Sequence, residues 1–427
     1  MFWLRQQLDK IRRWYQQLSY VQQRILLVSV LLIGAVFIGW LIYFIFFKPI
    51  FQTSTTNDNT AVVSNGQLPD INLDNNPVLI NTNNVNGGLP IIDAVARGKE
   101  TLSAVVYNGE TQSPTLNNTG LVSFYNAADG KFYRVDANGN VIPISEQVFK
   151  GVNEVAWSND NNKAVLQFED GNKLMYDFTN KKQYTLNKDI QEVDFSANDT
   201  QIGFKYMVAN TNDRWLGVSN PDGSQVQGIE PLGDNADKVI VDWSPSGKMI
   251  GTFQEYVDNI NQKVIPVGLK GENYKAFVVN GRGLQTKWSP SGDTMLYATY
   301  STATNYNYTL GVAKVEGDTV GTSKTTLGLN TTVDKCAYNS SGTTLYCAVP
   351  TQQPTGAAIA PEKLDTVPHE IYRINLAAGT TEKIAIPADN VKGTSLNGIN
   401  NVLVDANEKT LYYQEAVTKQ LRKINLK

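Results

Sequence analysis

Three observations predict an all-β chain, a β-propeller preceded by a single transmembrane α-helix. A strand–turn–strand motif recurs six times in the C-terminal two-thirds, an uncharged apolar run of 23 residues lies near the N-terminus, and charge is split sharply across that run. The expected order is a cytoplasmic basic amphipathic segment (1–24), the membrane span (25–47), an extracytoplasmic Asn/Thr-rich tether (48–95) and the propeller (96–427).

The N-terminal segment carries Arg5, Lys10, Arg12, Arg13 and Arg24 against Asp9, a net of +4. Leu4, Leu8, Ile11, Tyr15 and Leu18 share one helical stripe, which suits a helix lying on the inner leaflet, or else a short partner helix. The run ILLVSVLLIGAVFIGWLIYFIFF then has the length to cross a hydrocarbon core of about 30 Å. It is too long for the apolar region of a cleaved signal peptide, and no small-x-small site follows it. Basic residues crowd its N-terminal flank, and everything after Lys48 sums to −8, so the N-terminus is expected inside and the rest outside. The expected localisation is a cell membrane, single-pass and prokaryotic. The tether holds ten Asn and no Lys or Arg between residues 51 and 90, a composition that does not build a core.

The propeller rests on the repeat. Trp243-Ser-Pro-Ser-Gly247 and Trp288-Ser-Pro-Ser-Gly292 are near copies, with weaker versions anchored at Trp157, Phe195, Tyr338 and Val404. Seven residues after each anchor stands an apolar residue (Ala164, Ile202, Ile250, Met295, Leu345, Leu411), and anchor spacings are 38, 48, 45, 50 and 66. Ser-Pro sets the first turn dihedral and Gly supplies a left-handed residue before the next strand. This W-S-P-S-G motif resembles the WD40-like (PD40) repeats of TolB-type propellers, also seen in the propellers of prolyl-oligopeptidase relatives. The resemblance spans about 152–426 and implies radially arranged four-stranded blades. Four anchors lack Pro-x-Gly.

Blade counting gives seven, with six or eight as alternatives. Residues 120–145 supply the second to fourth strands of a first blade, with 101–107 as its first strand. The last blade, 398–427, stops after three strands, and an unpaired edge invites aggregation. A strand from within 77–107 is therefore expected to complete it; if 101–107 does so, the first blade borrows or lacks its inner strand.

The chain has two cysteines. Folding the Tyr338 hairpin pairs Cys336 with Cys347, and an oxidising compartment favours a structural disulfide there.

Composition narrows function. One histidine and two cysteines leave no stock for a zinc or iron–sulfur site, and a net charge of −3 does not mark a nucleic-acid binder. No G-x-S-x-G elbow occurs and no hydrolase domain follows the repeats, which argues against a prolyl-oligopeptidase-type peptidase. Asp136-Ala-Asn138-Gly139-Asn140 and Asp160-Asn161-Asn162 resemble calcium loops but lack the full ligand series, so they read as hairpin turns. No cofactor and no metal are expected. Connections between second and third strands lengthen at 209–214, 256–263, 301–306 and 350–369, which puts four consecutive built-up blades on one face. Rim candidates are Trp215, Tyr256, Asp258, Tyr300, Tyr306, Tyr308, Lys363 and His369. The expectation is a non-catalytic protein-binding scaffold in an envelope or surface assembly, anchored in membrane lipid through 25–47. A cell-wall glycan binder is the alternative, and a glycan-active enzyme needs two carboxylates converging in the central channel.

Overall fold

Each of the six anchors is followed by the same tight turn. The residue four places on is left-handed in every copy (Asn161, Asp199, Gly247, Gly292, Gly342 and Glu408, φ 53 to 72°), and its N–H bonds the carbonyl of the residue after the anchor at 2.8–3.0 Å. Glycine takes this conformation without a Cβ clash, and Asn and Asp tolerate it. At Glu408 the carboxylate is tied down from the neighbouring blade, where the Tyr346 hydroxyl donates to Oε2 at 2.5 Å and Asn339 Nδ2 to Oε1 at 3.3 Å. The degenerate motifs thus keep the geometry of the strong ones.

The computed structural model describes residues 92–426 apart from 273 and 390–395. The apolar run 25–47, the cytoplasmic segment and nearly all of the tether lie outside the described residues. Among the described residues no helix is long and apolar enough to cross a membrane.

The hairpins build seven sheets, five of them running wholly in sequence order from an inner to an outer strand and two taking an outermost strand from the N-terminal segment, which is a seven-bladed β-propeller. Blade 1 comprises Gln112–Leu116, Val122–Asn126, Lys131–Val135 and Val141–Pro143. Blades 2 to 6 begin at inner strands Val152–Trp157, Ile190–Phe195, Val239–Val241, Arg282–Trp288 and Cys336–Tyr338, and blade 7 at Ile399–Val404. Blade 1 therefore owns an inner strand, and the expectation that 101–107 supplies it, or that it is lacking, is corrected. Pro114 and the left-handed Ser113 (φ 49°) interrupt the alternation that would have marked it. A proline is tolerated there because an inner strand leaves one edge facing the axial tunnel rather than a neighbour.

Ring closure is done by the N-terminal segment, as expected, and it closes two seams. Lys99–Leu102 adds parallel to Thr380–Ala388 as a fifth strand of blade 6, and Ala104–Tyr107 pairs antiparallel with Leu421–Asn425 as the outer strand of blade 7. Ser103, at the crossing between them, is buried. Its N–H donates to Ala388 O at 3.0 Å, its hydroxyl pairs with Tyr413 Oη at 2.5 Å, and the buried Arg422 donates from Nη2 to its carbonyl at 2.9 Å.

Core clusters lie between neighbouring blades, as radial sheets require. Blades 1 and 2 meet through Phe132, Phe149, Trp157, Tyr176 and Phe178, with Trp157 and Phe178 rings stacked 5.5 Å apart. Cys336 and Cys347 are opposite one another across the blade 6 hairpin and form the expected disulfide, buried against Leu296, Leu310 and Ile374.

A chain shortened to begin at Gln112 leaves the outer edges of blades 6 and 7 unpaired. Light scattering after size exclusion is expected to show oligomers or aggregate instead of a monomer; a monomer of unchanged melting temperature would contradict the two-seam closure.

Candidate functional site

Alternating strand direction puts every connection between second and third strands on one face, and that rim is highest on blades 4 to 6. In blade 4 the length is not loop. Strands Met249–Tyr256 and Asn261–Gly268 extend into a projecting hairpin closed by 257–260. Asp258 shapes its tip, with Oδ1 accepting from the backbone N–H of Ile260 (2.7 Å) and Asn261 (2.8 Å) and Oδ2 from Asn261 Nδ2 (2.8 Å). These bonds, with Arg282 nearby, hold its carboxyl below the usual carboxylate range.

Arg282 opens the inner strand of blade 5 between Gly281 (φ 106°) and Gly283 (φ 62°). Its guanidinium lies 4.8 Å from the Tyr256 ring centroid, and its Nε donates to Asn259 O at 3.1 Å. A Cβ on Gly283 would sit 2.3 Å from Tyr300 Cε1, so glycine makes room for that ring. Tyr300 meets Tyr308 edge-on at 5.4 Å and Tyr306 at 6.4 Å. The blade 6 connection, 351–368, docks onto this group through Gly356 N–H to Asn305 O and Ala358 N–H to Tyr306 O, both 2.9 Å. The result is a run of solvent-facing apolar residues across three blades: Tyr256 (55% exposed), Val257 (56%), Ile260 (60%), Tyr306 (39%) and Ile359 (64%).

The structure thus brings together Tyr256, Asp258, Tyr300, Tyr306 and Tyr308. Trp215 stands apart on blade 3. Its ring lies on Gly228 and lines a cleft of about 360 Å³ with Phe204, Tyr206 and Val226. Lys363 ties its own loop, its Nζ donating to Thr355 O at 3.1 Å. His369 is buried beneath the rim at 2% exposure, Nδ1 2.8 Å from Val367 O; burial and the nearby Lys335 push its pKa down to about 3, so the ring is neutral. Sequence reading missed Val257, Ile260, Arg282 and Ile359. The first two were legible as apolar residues in a turn; Arg282 and Ile359 become neighbours of the group only through blade packing.

The axial tunnel carries the second group. At the position before the anchor, blades 3, 4 and 5 place Asp194, Asp242 and Lys287, and each reaches the next blade. Asp194 Oδ2 accepts from Trp243 N–H at 2.6 Å, Asp242 Oδ2 from the Thr286 hydroxyl at 3.2 Å, and Lys287 Nζ donates to Cys336 O at 2.6 Å. One blade further on, the buried Lys335 donates to Ile399 O at 2.5 Å. Asp242, Gln285, Thr286 and Lys287 face a cavity of about 470 Å³ along the tunnel wall. Burial pushes Asp194 up to about 6; burial, then repulsion from Asp194, pushes Asp242 up to about 7. Two carboxylates do converge here, but their oxygens serve as latches between blades. Asp136 and Asp160 are turn formers, accepting from the N–H of Asn138 and Asn162 at 2.9 Å. Among the described residues no cluster of three or more His, Cys, Asp or Glu could hold a metal ion.

No family model matches this chain, and no curated protein matches it in sequence. Among solved structures it is similar to the Swd1 β-propeller domain of Myceliophteria thermophila, with TM-score 0.48 and 10% identity over 74% of this chain and 96% of that one. An oligogalacturonate lyase from Vibrio parahaemolyticus gives TM-score 0.46 and 11% identity over 76% and 91% of the two chains. Hydrazine synthase from Kuenenia stuttgartiensis gives TM-score 0.47 and 12% identity over 80% and 99%. These likenesses concern fold alone.

A carboxyl near 7 in the fold and near 3.8 unfolded is best accommodated below its unfolded value, and its contribution to stability is lost as pH rises through about 7. His369 acts oppositely, since its stabilising contribution is present above 6.5 and lost as pH falls toward about 3. Comparing wild type with Asp242→Asn cancels the histidine. The variant is expected to melt progressively higher than wild type as pH is raised from about 4 to about 8. A constant difference across that range in differential scanning calorimetry would contradict the burial argument.

Proposed function

We propose that this chain is a membrane-tethered, non-catalytic β-propeller of the TolB type, with WD40-like repeats, that binds a protein or peptide partner outside the cytoplasm. The reading is carried by the exposed apolar side chains gathered on the rim of blades 4 to 6. Monomeric proteins rarely leave a large contiguous apolar patch open to water, and aromatic residues beside arginine are the side chains most often found at binding hot spots. The patch is also held in shape before any partner arrives. Arg282 braces Tyr256, and the blade 6 loop is hydrogen-bonded onto blade 5. Preorganisation of this kind lowers the entropy cost of association. The charge split of +4 before residues 25–47 and −8 after Lys48 supports the anchor and its orientation.

Tyr256→Ser, Ile260→Ser and Tyr306→Ser combined should leave the melting temperature nearly unchanged, because all three side chains face solvent. Surface cross-linking on cells making the full chain is expected to yield an adduct that this variant loses, with affinity down at least about thirtyfold. An adduct formed equally by the variant would refute the rim as the binding surface.

The topology has its own test. In intact cells a tag after Lys427 should be cut by external protease while a tag before Met1 is protected; the reverse pattern would overturn the anchor reading.

A further inference from the structure

Between blades 4 and 5, adjoining the rim at Tyr300, lies a polar cleft of about 310 Å³. One wall is the outer strand of blade 4, Phe277–Asn280; the other is the blade-4-facing side of Thr294–Tyr300, Tyr308–Lys314 and Lys324–Thr326. The floor is aromatic. Tyr297 stands opposite Gly311 in the ladder and its ring covers that glycine, where a Cβ would come within 2.4 Å of Cζ. Any side chain at 311 would lift the ring out of place.

Tyr297, Asn280 and Thr326 line the cleft, and none of their side chains is hydrogen-bonded to another described residue. Burial alone pushes the Tyr297 phenol up, so it remains a neutral donor and acceptor. The walls are pinned together, with the Thr299 hydroxyl donating to Asn280 O at 2.6 Å and Lys324 Nζ to Val278 O at 2.5 Å. No carboxylate lines the cleft, which disfavours a cation, and the one ammonium is already engaged across it, which disfavours an anion.

We infer that this cleft is a saccharide-binding subsite that takes one neutral pyranose unit of a glycan. A pyranose has an apolar C–H face to lie on the Tyr297 ring and a rim of hydroxyls, each both donor and acceptor, to match a phenol, an amide and a threonine hydroxyl. The volume is at the small end of the ~300–1,000 Å³ typical of ligand sites, which suits a single sugar ring. The cleft shares Tyr300 with the rim group, but Asn280, Tyr297 and Thr326 lie outside that group, so the cleft stands whether or not the rim binds protein.

The test uses the full chain in lipid nanodiscs and saturation-transfer NMR with chitotetraose, maltotetraose, cellotetraose and a mannotetraose. Transfer to the ring protons of at least one of these is expected. Asn280→Ala with Thr326→Val should weaken it roughly tenfold or more, as should Tyr297→Phe, which keeps the ring and removes one hydroxyl. The rim triple variant should leave it intact. Absence of transfer to all four sugars, transfer unchanged by Asn280→Ala with Thr326→Val, or transfer abolished by the rim variant would each overturn the assignment.

Discussion

Everything in this propeller depends on the pairing of residues 99–107 with two different blades. A ring of radial sheets buries its apolar faces only if each blade has a neighbour on both sides, and the ring stays shut only if its last seam is held. Here one extended segment holds two seams, by parallel pairing to blade 6 and antiparallel pairing to blade 7. Ser103, Tyr413 and Arg422 fasten the point where it crosses. Chain ends distant in sequence thus share one hydrogen-bonded sheet, and the inter-blade cores rest on that contact.

The closed ring explains how charge and strain are distributed. Bulges with left-handed residues recur in inner strands of blades 1, 3, 5 and 7, at Ser113, Glu192, Gly283 and Asn401. Such bulges re-aim inner-strand side chains. In blades 3 to 5 the tunnel-side Asp194, Asp242 and Lys287 become bonds to the next blade, at the expense of raised carboxyl pKa values. The same rigidity serves the outer surfaces. Because the blades cannot splay, the rim hairpin of blade 4, the tyrosines of blade 5 and the loop of blade 6 keep a fixed relation, and the cleft between blades 4 and 5 keeps its shape.

Much of this was legible from local pattern. The anchor motif sets strand, turn and strand within about ten residues, so blade positions and the Cys336–Cys347 pairing follow from short-range geometry. The unfinished last blade announced that the N-terminal segment must return. Blade 1's inner strand was hidden, because Pro114 and a left-handed Ser113 erase the period-2 signal. The aromatic rim residues were visible as residues near long connections, yet nothing local separated Trp215, on its own cleft, from Tyr256 and Tyr300, or showed that His369 is buried.

What the sequence determined by itself is therefore the blade repeat, the closing strand, the disulfide and the charge split about residues 25–47, since each is encoded in neighbouring residues or in composition. Tertiary structure alone decided which side chains meet. Arg282 reaches Tyr256, Ala358 reaches Tyr306, Asp242 reaches Thr286, and Asn280 lines one cleft with Tyr297 because adjacent blades pack at a fixed angle and height. These contacts join residues from 17 to 52 positions apart, with no periodic pattern to mark them. Only the closed ring brings them together.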